Sequence, residues 1–265
     1  MKKNIIGIIG GGNMGEALIK GLVGKKLFVP AGILVCENDA KRAQNLKEKY
    51  RISVKDLNTV IVQASVVILA VKPQDMEIVL SEIAENNDKL FISIAAGLTT
   101  KYFEKYLGKA RIIRAMPNMP ALIGEGITAI CRGRYATGID MREAGRILSS
   151  VGGVLEFQER YLDAITAVSG SGPAYVFLFA EQWIAAAKSL GLNEEDAKRL
   201  VYGTLVGSAH LLLKAGFSAG DLRARVTSKG GTTQAAMDVF SKGKFDQLMK
   251  KALSAAKKRA KELAK

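Results

Sequence analysis

The stretch Ile5-Ile6-Gly7-Ile8-Ile9-Gly10-Gly11-Gly12-Asn13-Met14-Gly15 decides the fold. Its first half is a short β-branched run without polar alternation, the form taken by a strand covered on both faces. Its second half contains Gly-x-Gly-x-x-Gly and opens directly onto the helical run Glu16 to Val23. A second β-branched run, Ile33 to Glu37, ends in a carboxylate about twenty residues past Gly15, which completes a dinucleotide-binding fingerprint. Gly10 admits the tight turn, Gly12 lets the backbone approach a pyrophosphate, and Gly15 lets the helix pack closely on the strand, with Asn13 and Met14 expected among the cofactor-binding residues of the loop. The helix N-terminus then faces the phosphates. Glu37 accepts hydrogen bonds from a ribose 2′-hydroxyl and repels a 2′-phosphate, which favours NAD. Asn38, Lys41 and Arg42 follow at once, and a cation there holds a 2′-phosphate if Glu37 turns away. The residues leave NAD and NADP both open.

Working outward, β-branched runs alternate with helical patterns up to Phe157, the form of a parallel sheet with crossover helices. Strands are expected at Ile5–Ile9, Ile33–Glu37, Val66–Val71, Phe91–Ala95, Arg111–Ala115, Ile127–Cys131 and Gly153–Phe157. After Gln158 only helical spacing remains, in Ala174–Leu190, Glu194–Lys214, Thr232–Phe240 and Phe245–Leu263, with Gly191, Gly216 and Gly243 as stops. The expected class is α/β: a Rossmann-type doubly wound parallel sheet over residues 1–157, followed by an all-α domain over 158–265.

Composition narrows the function. The chain has 265 residues, 48% hydrophobic and 24% charged, enough to bury a core and unlike a disordered segment. Two separated cysteines and one histidine supply neither a disulfide framework nor a zinc site, so no metal is expected and a reducing, cytoplasmic setting fits. The nearest approach to a membrane span, Ala164 to Ala180, contains Ser169-Gly170-Ser171-Gly172-Pro173, which reads as a turn entering a helix, so no membrane partner is expected. The net charge of +14 raises nucleic acid, anionic membrane or anionic small molecule as partners. Half of it lies in the tail from Lys242 to Lys265, where nine Lys/Arg face two acidic residues. No aromatics interleave the cations from Lys250 on, so the tail reads as a solvated helix face and nucleic acid is not expected.

Further segments, in this order, resemble the pyrroline-5-carboxylate reductase family: Ala70-Val71-Lys72-Pro73, Ser93-Ile94-Ala95-Ala96-Gly97, Arg114-Ala115-Met116-Pro117-Asn118-Met119-Pro120-Ala121, Val168 to Tyr175, and Gly230-Gly231-Thr232-Thr233. The resemblance runs from Ile5 to about Lys251. It implies reduction of the cyclic imine 1-pyrroline-5-carboxylate to L-proline by NADPH or NADH. It also implies a helical domain through which subunits form a homodimer, with larger rings such as a decamer, and active sites completed by the partner chain.

Lys72-Pro73 and Ala95-Ala96-Gly97 fall just past strand ends, where doubly wound sheets bind ligands. Asn118, between two prolines, has the fixed backbone needed to orient a nicotinamide or substrate. By resemblance, Asn58 meets the adenosine, although its spacing is one residue short. Thr232 and Thr233 hold the substrate carboxylate beside the glycine-exposed amide of Gly231, Thr166 hydrogen-bonds the ring nitrogen, and Glu159 stands on the substrate side. Lys229 departs from the proline usual in the family. His210, in an apolar helical run, reads as a satisfied core or interface residue. A β-hydroxyacid dehydrogenase shares the fingerprint and a helical second domain, but leaves the Gly-Gly-Thr-Thr loop and the Met-Pro-Asn-Met-Pro run unexplained.

Overall fold

The structure is a computed structural model described over residues 5–84 and 88–263. The last lysine of the basic tail, Lys265, lies outside the described residues. Along the chain run β1 (Ile6–Ile9), α1 (Asn13–Gly24), β2 (Ile33–Cys36), α2 (Ala40–Tyr50), β3 (Ser53–Val54), α3 (Leu57–Gln63), β4 (Val66–Leu69) and α4 (Met76–Ile83). They are followed by β5 (Leu90–Ser93), α5 (Thr100–Leu107), β6 (Arg111–Met116), β7 (Gly126–Arg132), α6 (Gly138–Leu148), β8 (Gly152–Glu156) and α7 (Leu162–Ile165). The remainder is helical: α8 (Gly172–Ser189), α9 (Glu194–Lys214), α10 (Ala219–Arg225), α11 (Thr232–Lys242) and α12 (Phe245–Leu263).

The strands form one sheet in the order β3-β2-β1-β4-β5-β6-β7-β8. The order reverses between β1 and β4, which opens a crevice at their carboxyl ends. Successive residues of β1 go to opposite faces, and both faces are covered. Ile6 and Ile8 pack with Leu18 and Leu22 of α1, while Ile9 joins Leu69, Leu80 and Phe91 on the other side. That two-sided burial is why the strand sequences lack polar alternation.

Two departures from the expected sheet have plain causes. β7 runs antiparallel to β6, pairing Met116 with Ala129 and Ile113 with Arg132, whereas a wholly parallel sheet was expected. Only a short 3-10 turn, Met119–Ile123, joins them, too short for the crossover that a parallel neighbour requires. The edge strand β3 has two residues and no apolar run, so nothing in its sequence announced it.

Contacts divide the chain into two compact units, Met1–Pro173 with Ala255–Lys265, and Ala174–Ser254. In the helical part, Gly191 (φ 97°) and Gly216 (φ 66°) turn into the left-handed region after α8 and α9, as expected of helix stops. After α11 it is Lys244 (φ 54°) that does so, while Gly243 stays right-handed. Residues 169–173 do not form a simple turn either. Thr166–Gly170 is a π-helical turn, closed by the Ser171 amide donating to the Thr166 carbonyl at 2.8 Å. Helix is therefore nearly continuous, and Glu159–Ser189 is long and apolar enough to cross a membrane by length and composition alone, although its uncharged run, Ala164 to Ala180, stays short of the roughly 20 residues of a span. His210 is exposed, which removes the reading of it as a core residue of this chain.

Cys131 is buried in β7. Burial pushes its thiol up to about 12, with the Glu159 carboxylate adding to the effect. A thiol reacts as its thiolate. Iodoacetamide at pH 8 is therefore expected to leave Cys131 unmodified in the folded protein and to label it in denaturant, as read by peptide mass spectrometry.

Candidate active site

Several helices begin on a side chain that caps them. Asp39, Asp56, Thr99, Asn193 and Ser218 accept backbone N–H groups at the starts of α2, α3, α5, α9 and α10. α1 starts at Gly12 and α11 at Gly231, and neither receives a side-chain hydrogen bond. Their first-turn amides are left for another acceptor, and an anion is the natural one.

The three fingerprint glycines are needed for different reasons. Gly10 adopts φ 98°, and a β-carbon there would stand 2.8 Å from the Ala70 carbonyl oxygen. A β-carbon on Gly15 would stand 2.2 Å from the Gly10 carbonyl oxygen, inside any allowed contact. On Gly12 it would meet nothing within 4 Å. Packing within the protein thus dictates Gly10 and Gly15, whereas Gly12 leaves bare backbone facing open space, a fit for a dinucleotide pyrophosphate.

Around this turn the cleft is lined by Gly10, Gly12, Glu37, Asn38, Ala70, Val71 and Lys72, at the carboxyl ends of β1, β2 and β4. Pro73 is exposed beside them. Asn13 is exposed at the helix start, its Oδ1 accepting from Arg42 Nη2 at 3.3 Å, and Met14 packs on the core instead of lining the cleft. The cleft is also walled by Asp56 and Leu57; Asn58 follows them, exposed on α3. Thr59 donates to both Asp56 oxygens (N–H 2.8 Å, Oγ1 2.6 Å), which holds that carboxyl below its usual range.

Two loops continue the same edge of the sheet. After β5, Ala95 is buried and Gly97 takes φ 79°, with the Leu263 carbonyl oxygen 2.9 Å from where its β-carbon would be. The end of the basic tail, remote in sequence, thus folds against the Ala95-Ala96-Gly97 loop. After β6, Asn118 is buried, and its Oδ1 accepts the Ile127 amide at 2.9 Å. That contact fixes the side-chain orientation and leaves Nδ2 without a partner among the described residues.

Thr166 opens the π-helical turn, a feature that often marks functional sites. Its hydroxyl donates to the Leu162 carbonyl at 2.8 Å, so the oxygen is left as an acceptor. Glu159 is more committed than a substrate-facing carboxylate would be. Its Oε1 accepts from the Thr100 amide at 2.7 Å and its Oε2 from the Thr100 hydroxyl at 2.8 Å, while Arg114 pairs with it at 3.3 Å. Arg114 itself is 4% exposed and also meets Asp163 at 3.5 Å. Sequence reasoning assigned no role to Arg114. The available signal was a lone charge inside the apolar run Ile112-Ile113-Arg114-Ala115, because a buried arginine needs partners.

Thr232 and Thr233 form the first turn of α11 in the second unit, Thr232 exposed and Thr233 half-buried. The Gly231 amide is already taken by the Ser228 carbonyl at 3.0 Å, so the donors on offer there are the α11 first-turn amides and the threonine hydroxyls. Lys229 is exposed.

Comparison with known proteins agrees with this geometry. The family described as pyrroline-5-carboxylate reductase dimerisation matches residues 159–263, and the one described as NADP oxidoreductase coenzyme F420-dependent matches residues 5–97. Pyrroline-5-carboxylate reductases of Mycobacterium tuberculosis (38% identity over 97% of this chain and 96% of the relative) and Pseudomonas aeruginosa (39%, 98% and 96%) are similar to it along their length. A solved pyrroline-5-carboxylate reductase of Coxiella burnetii superimposes with TM-score 0.93 at 38% identity, each chain covered 100%. A Plasmodium falciparum pyrroline carboxylate reductase with NADP bound superimposes at 0.90 with 29% identity, again covered 100%. With a Rossmann sheet, a bare Gly12 under an uncapped helix, and relatives spanning its whole length, this chain belongs to the pyrroline-5-carboxylate reductase family of NAD(P)H-dependent oxidoreductases.

Proposed function

We propose that the chain reduces the C=N bond of 1-pyrroline-5-carboxylate to give L-proline, the last step of proline biosynthesis. The observation that carries the chemistry is the hydroxyl of Thr166: its proton is committed to the Leu162 carbonyl, so it presents an acceptor. A protonated cyclic imine offers an N–H donor and no acceptor at nitrogen, which is the complementary arrangement. Bound NAD(P)H supplies the hydride, held by the Gly10–Gly15 turn and the wall of Ala70, Val71 and Lys72. Hydride addition to an iminium carbon requires no strong acid, which suits a chain whose one histidine plays no part. The Asn118 amide, fixed by Ile127, orients nicotinamide or substrate, and the α11 start with Thr232 and Thr233 holds the substrate carboxylate. Glu159 and Arg114 act behind the substrate, on the segment that carries Thr166.

Following NADH and NADPH oxidation with the imine tests the reaction; a folded protein that turns over with neither cofactor overturns it. Thr166→Ala is expected to lower kcat by about 10- to 100-fold, the worth of one hydrogen bond to a charged group. Dinucleotide affinity should stay unchanged, and its loss would mean that Thr166 belongs to the cofactor site.

The functional division falls at residues 1–157 and 158–265, and the helical part is the dimer interface. α8 supports this: Val176, Phe177 and Leu178 are each more than half exposed and adjacent, so apolar side chains point to all sides of the helix. Such a helix is stable only inside a larger assembly. A homodimer, with assembly to a ring such as a decamer, satisfies it without a membrane, and light scattering of the purified chain reads the size. We place the enzyme in the cytoplasm and assign it no nucleic-acid partner.

A further inference from the structure

The cleft carries an electrostatic arrangement at odds with the rest of the protein. The chain has a net charge of +14, yet the dinucleotide cleft is lined by four carboxylates, Glu37, Asp56, Asp75 and Glu82, against two ammonium groups, Lys55 and Lys72. NADPH differs from NADH by a phosphate on the adenosine ribose, placed next to the carboxylate that ends the second strand of the fold. In this chain that carboxylate is Glu37.

Glu37 is held in place. Its Oε2 accepts the Gly11 amide at 2.8 Å and its Oε1 accepts the Asp39 amide at 2.9 Å. An ionised carboxylate has about four acceptor positions. Two therefore remain for the two hydroxyls of an unphosphorylated ribose, while turning the side chain out of the cleft would strand both backbone amides. Of the two cations that follow Glu37 in sequence, Lys41 is exposed and Arg42 is engaged elsewhere. Its Nε donates to the Gly11 carbonyl, and its Nη2 reaches Asn13 Oδ1 at 3.3 Å and Glu16 Oε2 at 3.5 Å. Glu16 is in turn fixed by Lys49 at 2.9 Å and the Tyr50 hydroxyl at 3.0 Å. Arg42 thus braces the glycine turn.

We infer that Glu37, anchored by the Gly11 and Asp39 amides, makes NADH the preferred hydride donor and selects against the 2′-phosphate of NADPH. This rests on the reductase reading only for the identity of the reaction. The selection itself is a property of dinucleotide binding and is measured without the imine.

The test is fluorescence titration of the full-length protein with NADH and with NADPH, followed by kcat/KM for each with the imine. The wild type should bind NADH at least about tenfold more tightly. Glu37→Gln, which removes the charge and keeps the size, should shrink that ratio about tenfold or more, chiefly through tighter NADPH binding; Glu37→Ser is the second variant, in case Gln disturbs the turn. Arg42→Ala should weaken both dinucleotides alike, as loss of a brace does. Tighter wild-type binding of NADPH overturns the inference, as does an equal loss of both cofactors in both Glu37 variants, or a selective loss of NADPH in Arg42→Ala. Selective NADH binding without imine turnover would sustain the inference and reject the reaction.

Discussion

Gly15→Ala is expected to abolish measurable dinucleotide binding and to lower the melting temperature of the chain, whereas Gly12→Ala is expected to weaken binding alone. The two positions lie three residues apart in one motif, and the difference is geometric. At Gly15 the new methyl would be 2.2 Å from the Gly10 carbonyl oxygen, a backbone atom with no rotamer to give. Gly10 cannot retreat easily, because its amide is tied to the Cys36 carbonyl at 2.9 Å and its φ is 98°. α1 must therefore lift off β1, and Leu18 and Ile19, which it buries, lift with it. Overpacking of this kind costs about 3 kcal/mol, or a melting-temperature drop of roughly 6–12 °C. At Gly12 the backbone (φ −58°) suits alanine and the methyl meets nothing within 4 Å, so the melting temperature should hold within about 2 °C. The methyl would stand where a phosphate must approach, and affinity should fall at least about tenfold. Calorimetry and dinucleotide titration on both variants read the result. A Gly12→Ala protein that binds NADH normally would remove the pyrophosphate from this turn.

That contrast also shows what the sequence could and could not convey. The spacing Gly10-x-Gly12-x-x-Gly15 with a strand before and a helix after is legible because backbone geometry leaves few other residues possible there. The buried strands are legible for a similar reason, since β1 and β4 are covered on both faces and tolerate only apolar residues. The reversal of β7 was not legible from its own residues. Gly126–Arg132 reads as a strand in either direction, and the direction is set by the short 3-10 link that precedes it. Thr166 stood out only through family resemblance, because what its hydroxyl can offer depends on where its proton goes, and the Leu162 carbonyl one turn back takes it. The contacts that Glu159 makes with Thr100 and Arg114 were not legible at all. A carboxylate that caps α5 through Thr100 cannot be told from sequence, since the two residues lie 59 positions apart.

Arg114→Met is the second large effect, and it links that hidden cluster to catalysis. Arg114 sits in β6 with its guanidinium 3.3 Å from Glu159 and 3.5 Å from Asp163, at 4% exposure, while the two carboxylates are 32% and 27% exposed. Breaking a fully buried pair costs about 3–5 kcal/mol; with both acids partly hydrated, about 2–3 kcal/mol is expected here, or roughly 4–12 °C in melting temperature. The functional consequence follows from what the acids hold. Glu159 bonds both polar atoms of Thr100 at the start of α5, and Asp163 lies on α7, the short helix that leads directly into the π-helical turn opened by Thr166. Without the guanidinium the two acids repel each other, and the turn loses the anchor that aims the Thr166 oxygen. The dinucleotide cleft is built from β1, β2 and β4 and has no contact with this cluster among its lining residues. Arg114→Met should therefore lower kcat by about tenfold at 25 °C while NADH affinity changes by less than about twofold. Arg114→Lys keeps the charge but loses the fork, and should recover most of the stability with only part of the turnover. A merely structural role predicts the opposite pattern, in which turnover returns in step with stability across the two variants. Equal losses of kcat and dinucleotide affinity would likewise show that Arg114 supports the whole unit and not the segment bearing Thr166.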